Sequence, residues 1–309
     1  MKINKKKVLV IFQILISTIL LIFLFNNIGI KNIFSILANT DFNNILIIGF
    51  FSICPIVLAA FNFWVLLRLI HKINFFSFFK YYSYSNALSL IIPGSIGDVS
   101  IIAIVPKTNA TFSSLSLVYI LNKGISFLFN IIVAILGGLF LFHLNIHNII
   151  LFCFILIFVV GLVYYFLFKL TFKNRFINKI KNTFVEMFIL LKIHKKNWRF
   201  LLLNLCITSI IWFLTSYSYL FCFKSLNVDI PFIYICTIPF IATLAGYIPL
   251  SFAGVGVVEY SAIGLFSTLG ILDNTVLATY IILRSWQYLI ALVSLAYFAL
   301  FNKKTSNSF

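Results

Sequence analysis

Along the chain, long apolar runs alternate with short polar or basic connections. Six of the runs suit a bilayer crossing: Val8 to Phe25, Ile45 to Leu67, Leu115 to Phe142, Ile149 to Phe168, Phe200 to Phe223 and Val276 to Phe301. A hydrocarbon core of about 30 Å takes roughly 20 apolar residues in helical form, so each run is predicted to be a spanning helix. Two further apolar stretches do not fit a simple crossing. Phe75 to Val105 holds 31 residues and is interrupted by Pro93-Gly94. As continuous helix it would reach about 46 Å, too short for two full passes. Phe232 to Leu269 holds 38 residues and is broken by Pro249, Gly254 and Gly256. Both read as re-entrant broken-helix hairpins; a pair of short full helices also satisfies the second.

Charge sets the orientation. With both termini inside, 19 of the 23 Lys and Arg residues fall on the inner face, and only Lys31 and Lys224 fall on the outer one. That asymmetry predicts a multi-pass protein of the cell membrane with both termini cytoplasmic. The net charge of +17 is thus topological and does not point to nucleic acid. On this topology the first hairpin opens to the cytoplasm and the second to the outside. Between Lys173 and Lys196, the residues Phe176, Ile180, Phe184, Phe188 and Leu191 recur at intervals of four and three among lysines. They predict an amphipathic helix on an anionic membrane surface. The expected fold class is an all-α integral membrane protein with six spanning helices and two oppositely oriented re-entrant hairpins. The whole chain, 1–309, reads as a single domain with a first half (1–170), a cytoplasmic amphipathic connector (171–199) and a second half (200–309).

Composition closes other routes. At 62% hydrophobic and 9% charged, the chain does not suit a soluble fold. Its five cysteines, Cys54, Cys153, Cys206, Cys222 and Cys236, show no C-x-x-C or metal-ligand spacing, and His143 with His147 lacks a third ligand. No metal or other cofactor is expected. Met1 to Phe25 starts basic and turns apolar, but no small-residue cleavage site follows, so it reads as a retained helix.

The two broken stretches are alike. The first reads Pro93-Gly94-Ser95-Ile96-Gly97-Asp98 and the second Pro249-Leu250-Ser251-Phe252-Ala253-Gly254-Val255-Gly256-Val257-Val258-Glu259. In each, Pro-x-Ser leads to glycine and then to a carboxylate. Lys123 follows Asp98 by 25 residues, and Arg284 follows Glu259 by 25. Because the halves enter from opposite faces, the repeat is inverted, an arrangement that builds binding sites between broken helices in many transporters. Each unpaired charge at the bilayer centre costs roughly 2.5–3.5 kcal/mol or more, so these four residues face a cavity or a partner. Two readings stand: structural ion pairs of Asp98 with Lys123 and Glu259 with Arg284, or an anion site in which Lys123 and Arg284 bind phosphate and the carboxylates orient them. Ser95 and Ser251 are candidate hydroxyl donors to the same ligand. Pro93, Gly94, Gly97, Pro249, Gly254 and Gly256 are the candidate backbone and hinge positions, where free N–H groups can also meet an anion.

On Leu90-Ile91-Ile92-Pro93-Gly94-Ser95-Ile96-Gly97-Asp98 and on Ile248 to Glu259, followed by Gly270 and Arg284, the sequence resembles the lysylphosphatidylglycerol synthase transmembrane region, also called the flippase-like domain family. The resemblance implies a membrane domain that moves lipid-linked substrates between leaflets, either an aminoacylated phospholipid or a polyisoprenoid-linked sugar. Asn122-Lys123 departs from the expected Glu-Arg pair, and Val258 stands where a basic residue is usual, which leaves the substrate open. The chain ends at Phe309 without a soluble aminoacyltransferase domain, so lysyl transfer is not expected of it.

Three functions compete. A lipid flippase or transporter handling anionic phospholipid or polyprenyl-phosphate substrates fits the repeat and the intramembrane charges. A non-transporting membrane partner of a separate synthase or glycosyltransferase fits the basic connector. An enzyme of lipid-linked sugars, with Asp98 and Glu259 as acid and base, lacks a metal run or an activated nucleophile. The expected partners are membrane lipids, with no nucleic acid and no catalytic residues.

Overall fold

The computed structural model of the protein describes residues 18, 22, 42–91, 96–105, 112–142, 198–247 and 251–306. Most of the expected first span, the fourth span and the basic connector lie outside these residues, as do His143, His147 and Cys153. The hairpin-tip residues Pro93, Gly94, Ser95 and Pro249 lie outside them too. The described residues form helices joined by turns and short irregular links, with no strand among them.

Four long apolar helices form the frame: α1 (Phe42–Leu67), α4 (Phe112–Phe142), α5 (Trp198–Ser225) and α9 (Asp273–Ser306). Between α1 and α4 stand two shorter helices, α2 (Phe75–Ile91) and α3 (Ile96–Ile104). Between α5 and α9 stand α6 (Phe232–Ile235), α7 (Ile238–Gly246), a 3₁₀ turn at Phe252–Gly254, and α8 (Val257–Ser267). The four long helices each contain an apolar stretch of 25 to 28 residues, enough to cross a membrane. Their outer faces expose Phe50, Leu128, Ile132, Leu292 and Val293, apolar side chains that water would not favour in such number. The protein is therefore an all-α membrane protein.

Each half has its own buried core. In the first, Phe63 and Leu66 of α1 meet Phe78 of α2, Ile101 of α3 and Leu115 of α4. In the second, Phe223 of α5 meets Ile235, Phe266 and Leu277. The halves join where α1 lies along α5, with Phe51 stacked on Tyr217 and Phe221. They also join where α2 packs on α9 and α7 packs on α4. Thus α9 braces α2 and α4 braces α7.

Glycine makes the first short-helix pair possible. A Cβ at Gly97 would run into the backbone of Leu88 and Ser89, so α3 lies against α2 with no room for a side chain. Ser85 clips the same pair, donating from Oγ to the carbonyl of Gly97 at 2.9 Å. Gly97→Ala is expected to destabilise the protein by about 3 kcal/mol through this overpacking. Gly138→Ala on α4, where a Cβ meets nothing within 4 Å, is expected to stabilise the protein by up to about 1 kcal/mol. Thermal unfolding of the two variants in detergent checks the difference.

Candidate functional site

Asp98 and Glu259 lie in the first turns of short helices, and Lys123 and Arg284 lie inside the long helices α4 and α9. Asp98 sits in the first turn of α3, just past the break, and Lys123 sits on α4. Their side chains form an ion pair, with Lys123 Nζ 2.6 Å from Asp98 Oδ2. The side chains keep 45% and 25% exposure respectively, so the pair remains reachable.

Glu259 and Arg284 pair in the same way, 25 residues apart, but in different surroundings. Glu259 occupies the third position of α8, which begins after Gly256 at φ 85°. One carboxylate oxygen accepts from Arg284 Nε and the other from the Gly256 N–H at 2.7 Å. That second bond satisfies a backbone donor at the helix start, which would otherwise be orphaned. The side chain of Glu259 is only 4% exposed and that of Arg284 19%, so this pair is closed. Positive φ at Ala253 (50°) and Gly254 (74°) shapes the turn leading into it.

The open pair faces a cavity of about 580 Å³. Both halves build it: Asn62 from α1, Tyr82 from α2, Tyr119 from α4, Trp212 from α5 and Tyr247 just beyond α7. Asp98 and Tyr247 also line a second cavity of about 240 Å³, between Ser89 near the end of α2 and Ser251, Ala253 and Gly254 of the second hairpin. Ser251 is buried there, and its Oγ has no hydrogen-bond partner among the described residues. The structure thus brings Asp98, Lys123, Ser251 and Gly254 to two adjoining cavities. Glu259 and Arg284 line neither, and Gly97 and Gly256 act through backbone packing and capping.

Sequence reasoning passed over most of the cavity wall. Asn62 lies in the apolar second half of α1, and a buried amide in a spanning segment is itself a signal for a polar contact. Tyr82, Tyr119 and Tyr247 gave no such signal, because aromatic residues are abundant throughout the chain. Among the described residues no group of three His, Cys, Asp or Glu side chains is placed to hold a metal ion.

Four apolar spans among the described residues, short helices braced between them, and a largely apolar cavity that holds an ion pair define a polytopic α-helical membrane protein with an internal charged site. The chain belongs to the lysylphosphatidylglycerol synthase TM region family, whose model matches residues 10–294. Membership places it among membrane proteins of lipid-related function. Among curated proteins, none matches the chain.

Proposed function

We propose that this protein is a lipid flippase or transporter-like protein that handles anionic phospholipid or polyprenyl-phosphate-linked substrates without covalent chemistry, and that the headgroup lodges beside Asp98 and Lys123. The carrying observation is the accessible ion pair in a cavity walled by helices of both halves. A lysine whose side chain keeps open surface in a cavity can exchange its carboxylate partner for a phosphate more readily than a sealed pair can. The aromatic lining suits the junction of a polar headgroup with its apolar chain.

The matched packing supports an inverted repeat. In that repeat α1 corresponds to α5, α4 to α9, and the pair α2 and α3 to the pair α7 and α8. The contact of α2 with α9 then mirrors that of α7 with α4, and α3 on α4 mirrors α8 on α9. The two short-helix pairs read as re-entrant hairpins entering from opposite faces, and the lysine and arginine distribution puts both termini in the cytoplasm of a cell-membrane protein. The full topology on this reading has six spans.

Vesicles carrying the purified protein with labelled phosphatidylglycerol, lysylphosphatidylglycerol or a short polyprenyl-phosphate sugar test the proposal. Faster leaflet exchange of one lipid than in protein-free vesicles is the expected result and names the substrate class. If none of the three moves faster, the transport reading fails for the isolated chain, and a partner that binds a separate transferase becomes the better account.

A further inference from the structure

Asp98 is the charged residue that borders both cavities, and the second of them, of about 240 Å³, differs in chemistry from the first. Among the described residues that line it, Asp98 alone carries a charge. Ser89 and Thr243 are half-buried there, and each has committed its hydroxyl proton. Ser89 Oγ donates to the carbonyl of Asn86 at 2.7 Å, and Thr243 Oγ1 donates to that of Pro239 at 2.8 Å. To a ligand, both oxygens therefore offer only lone pairs.

Two helix ends add to this. Ser89 and Leu90 lie in the last turn of α2, and Gly246 closes α7, so both C-terminal ends border the cavity with their partial negative charge. Neither last turn holds a basic side chain. The helix starts nearby carry their own carboxylates, Asp98 in the first turn of α3 and Glu259 on the Gly256 N–H of α8. The cavity is thus rich in oxygen acceptors, with a single carboxylate at its edge.

We propose that this second cavity binds a monovalent cation, Na⁺ or K⁺, together with a lipid phosphate at Lys123. The inference rests on the lipid-handling reading above and supplies the counter-ion that reading lacks. Without a ligand, the Lys123 ammonium balances Asp98. An arriving phosphate adds a negative charge that no further cation of the site offsets, and a net charge in a membrane interior is costly. A cation beside Asp98 restores neutrality. One carboxylate among neutral oxygens suits a single positive charge, whereas Ca²⁺ recruits several carboxylates. Broken helices whose C-terminal ends hold such an ion occur in ion-coupled transporters. Cation and lipid then bind cooperatively, each raising the affinity of the other by the same factor.

The test measures binding of phosphatidylglycerol and of a short polyprenyl-phosphate sugar to the purified full chain in neutral detergent. Each is titrated in the chloride of Na⁺, of K⁺ and of N-methylglucamine, a bulky cation that oxygen ligands cannot enclose. Equal pH and ionic strength remove general screening from the comparison. The tighter-binding lipid is expected to bind at least ~5-fold more strongly in Na⁺ or K⁺ than in N-methylglucamine. Thr243→Val, which removes one oxygen at similar volume, is expected to shrink that ratio, and Asp98→Asn to abolish it. Equal binding in all three salts overturns the cation site and leaves the anionic-lipid reading in place. Binding of neither lipid in any salt overturns both. The wild-type comparison needs no variant, so it decides the matter even if a variant does not fold.

Discussion

Lys123→Met is expected to slow lipid movement by about 10- to 100-fold while the protein inserts and unfolds near the wild-type temperature. A hydrogen bond to a charged group contributes roughly 1.5–3 kcal/mol, and each 1.4 kcal/mol is about a factor of ten. Stability is expected to hold because neither partner of this pair is sealed. Asp98 keeps 25% of its side chain exposed and borders two cavities, so its carboxylate can rehydrate when the lysine is gone. Lys123→Arg, which restores the charge, is expected to recover part of the rate. Leaflet exchange in vesicles together with thermal unfolding in detergent separates the two effects. Unchanged exchange in Lys123→Met would remove this residue from the transport site.

The opposite behaviour is expected of the second pair. Glu259→Ala and Arg284→Ala should each destabilise the protein by about 3–5 kcal/mol, the usual range when one member of a buried ion pair is removed. Both carboxylate oxygens of Glu259 are engaged, one by Arg284 and one by the Gly256 N–H, so its removal also uncaps α8. The double variant Glu259→Gln with Arg284→Gln leaves no unpaired charge and is expected to lose less than the two single changes together. Thermal midpoints and the yield of monodisperse protein are the measurements. Single variants that fold like wild type but fail to move lipid would instead assign this pair to the ligand.

Much of this was legible in the sequence, and the reason is physical. A carboxylate and a cation inside apolar segments must meet something, and equal spacing in two similar stretches left few arrangements open. Both pairs form, and near Gly254 helices are separated as the residues suggested, while Pro93-Gly94 lies outside the described residues. What the sequence did not carry is which pair is open. Asp98 with Lys123 and Glu259 with Arg284 have the same spacing, and their difference lies in the neighbours that tertiary packing brings up. Glu259 is covered by the second half's core, whereas Asp98 abuts a cavity walled by α1, α4 and α5. The wall residues Asn62 and Thr208 come from helices 146 positions apart in sequence, a proximity no local pattern encodes.

The cross-bracing of the halves has a mechanical consequence. The α2 helix rests on α9, which carries Arg284, and Arg284 grips Glu259 at the start of α8. A rigid, sealed clasp in this position works as a tie-rod. Displacing α2 therefore loads the helix that anchors the start of α8, so the two short-helix pairs are linked mechanically through α9.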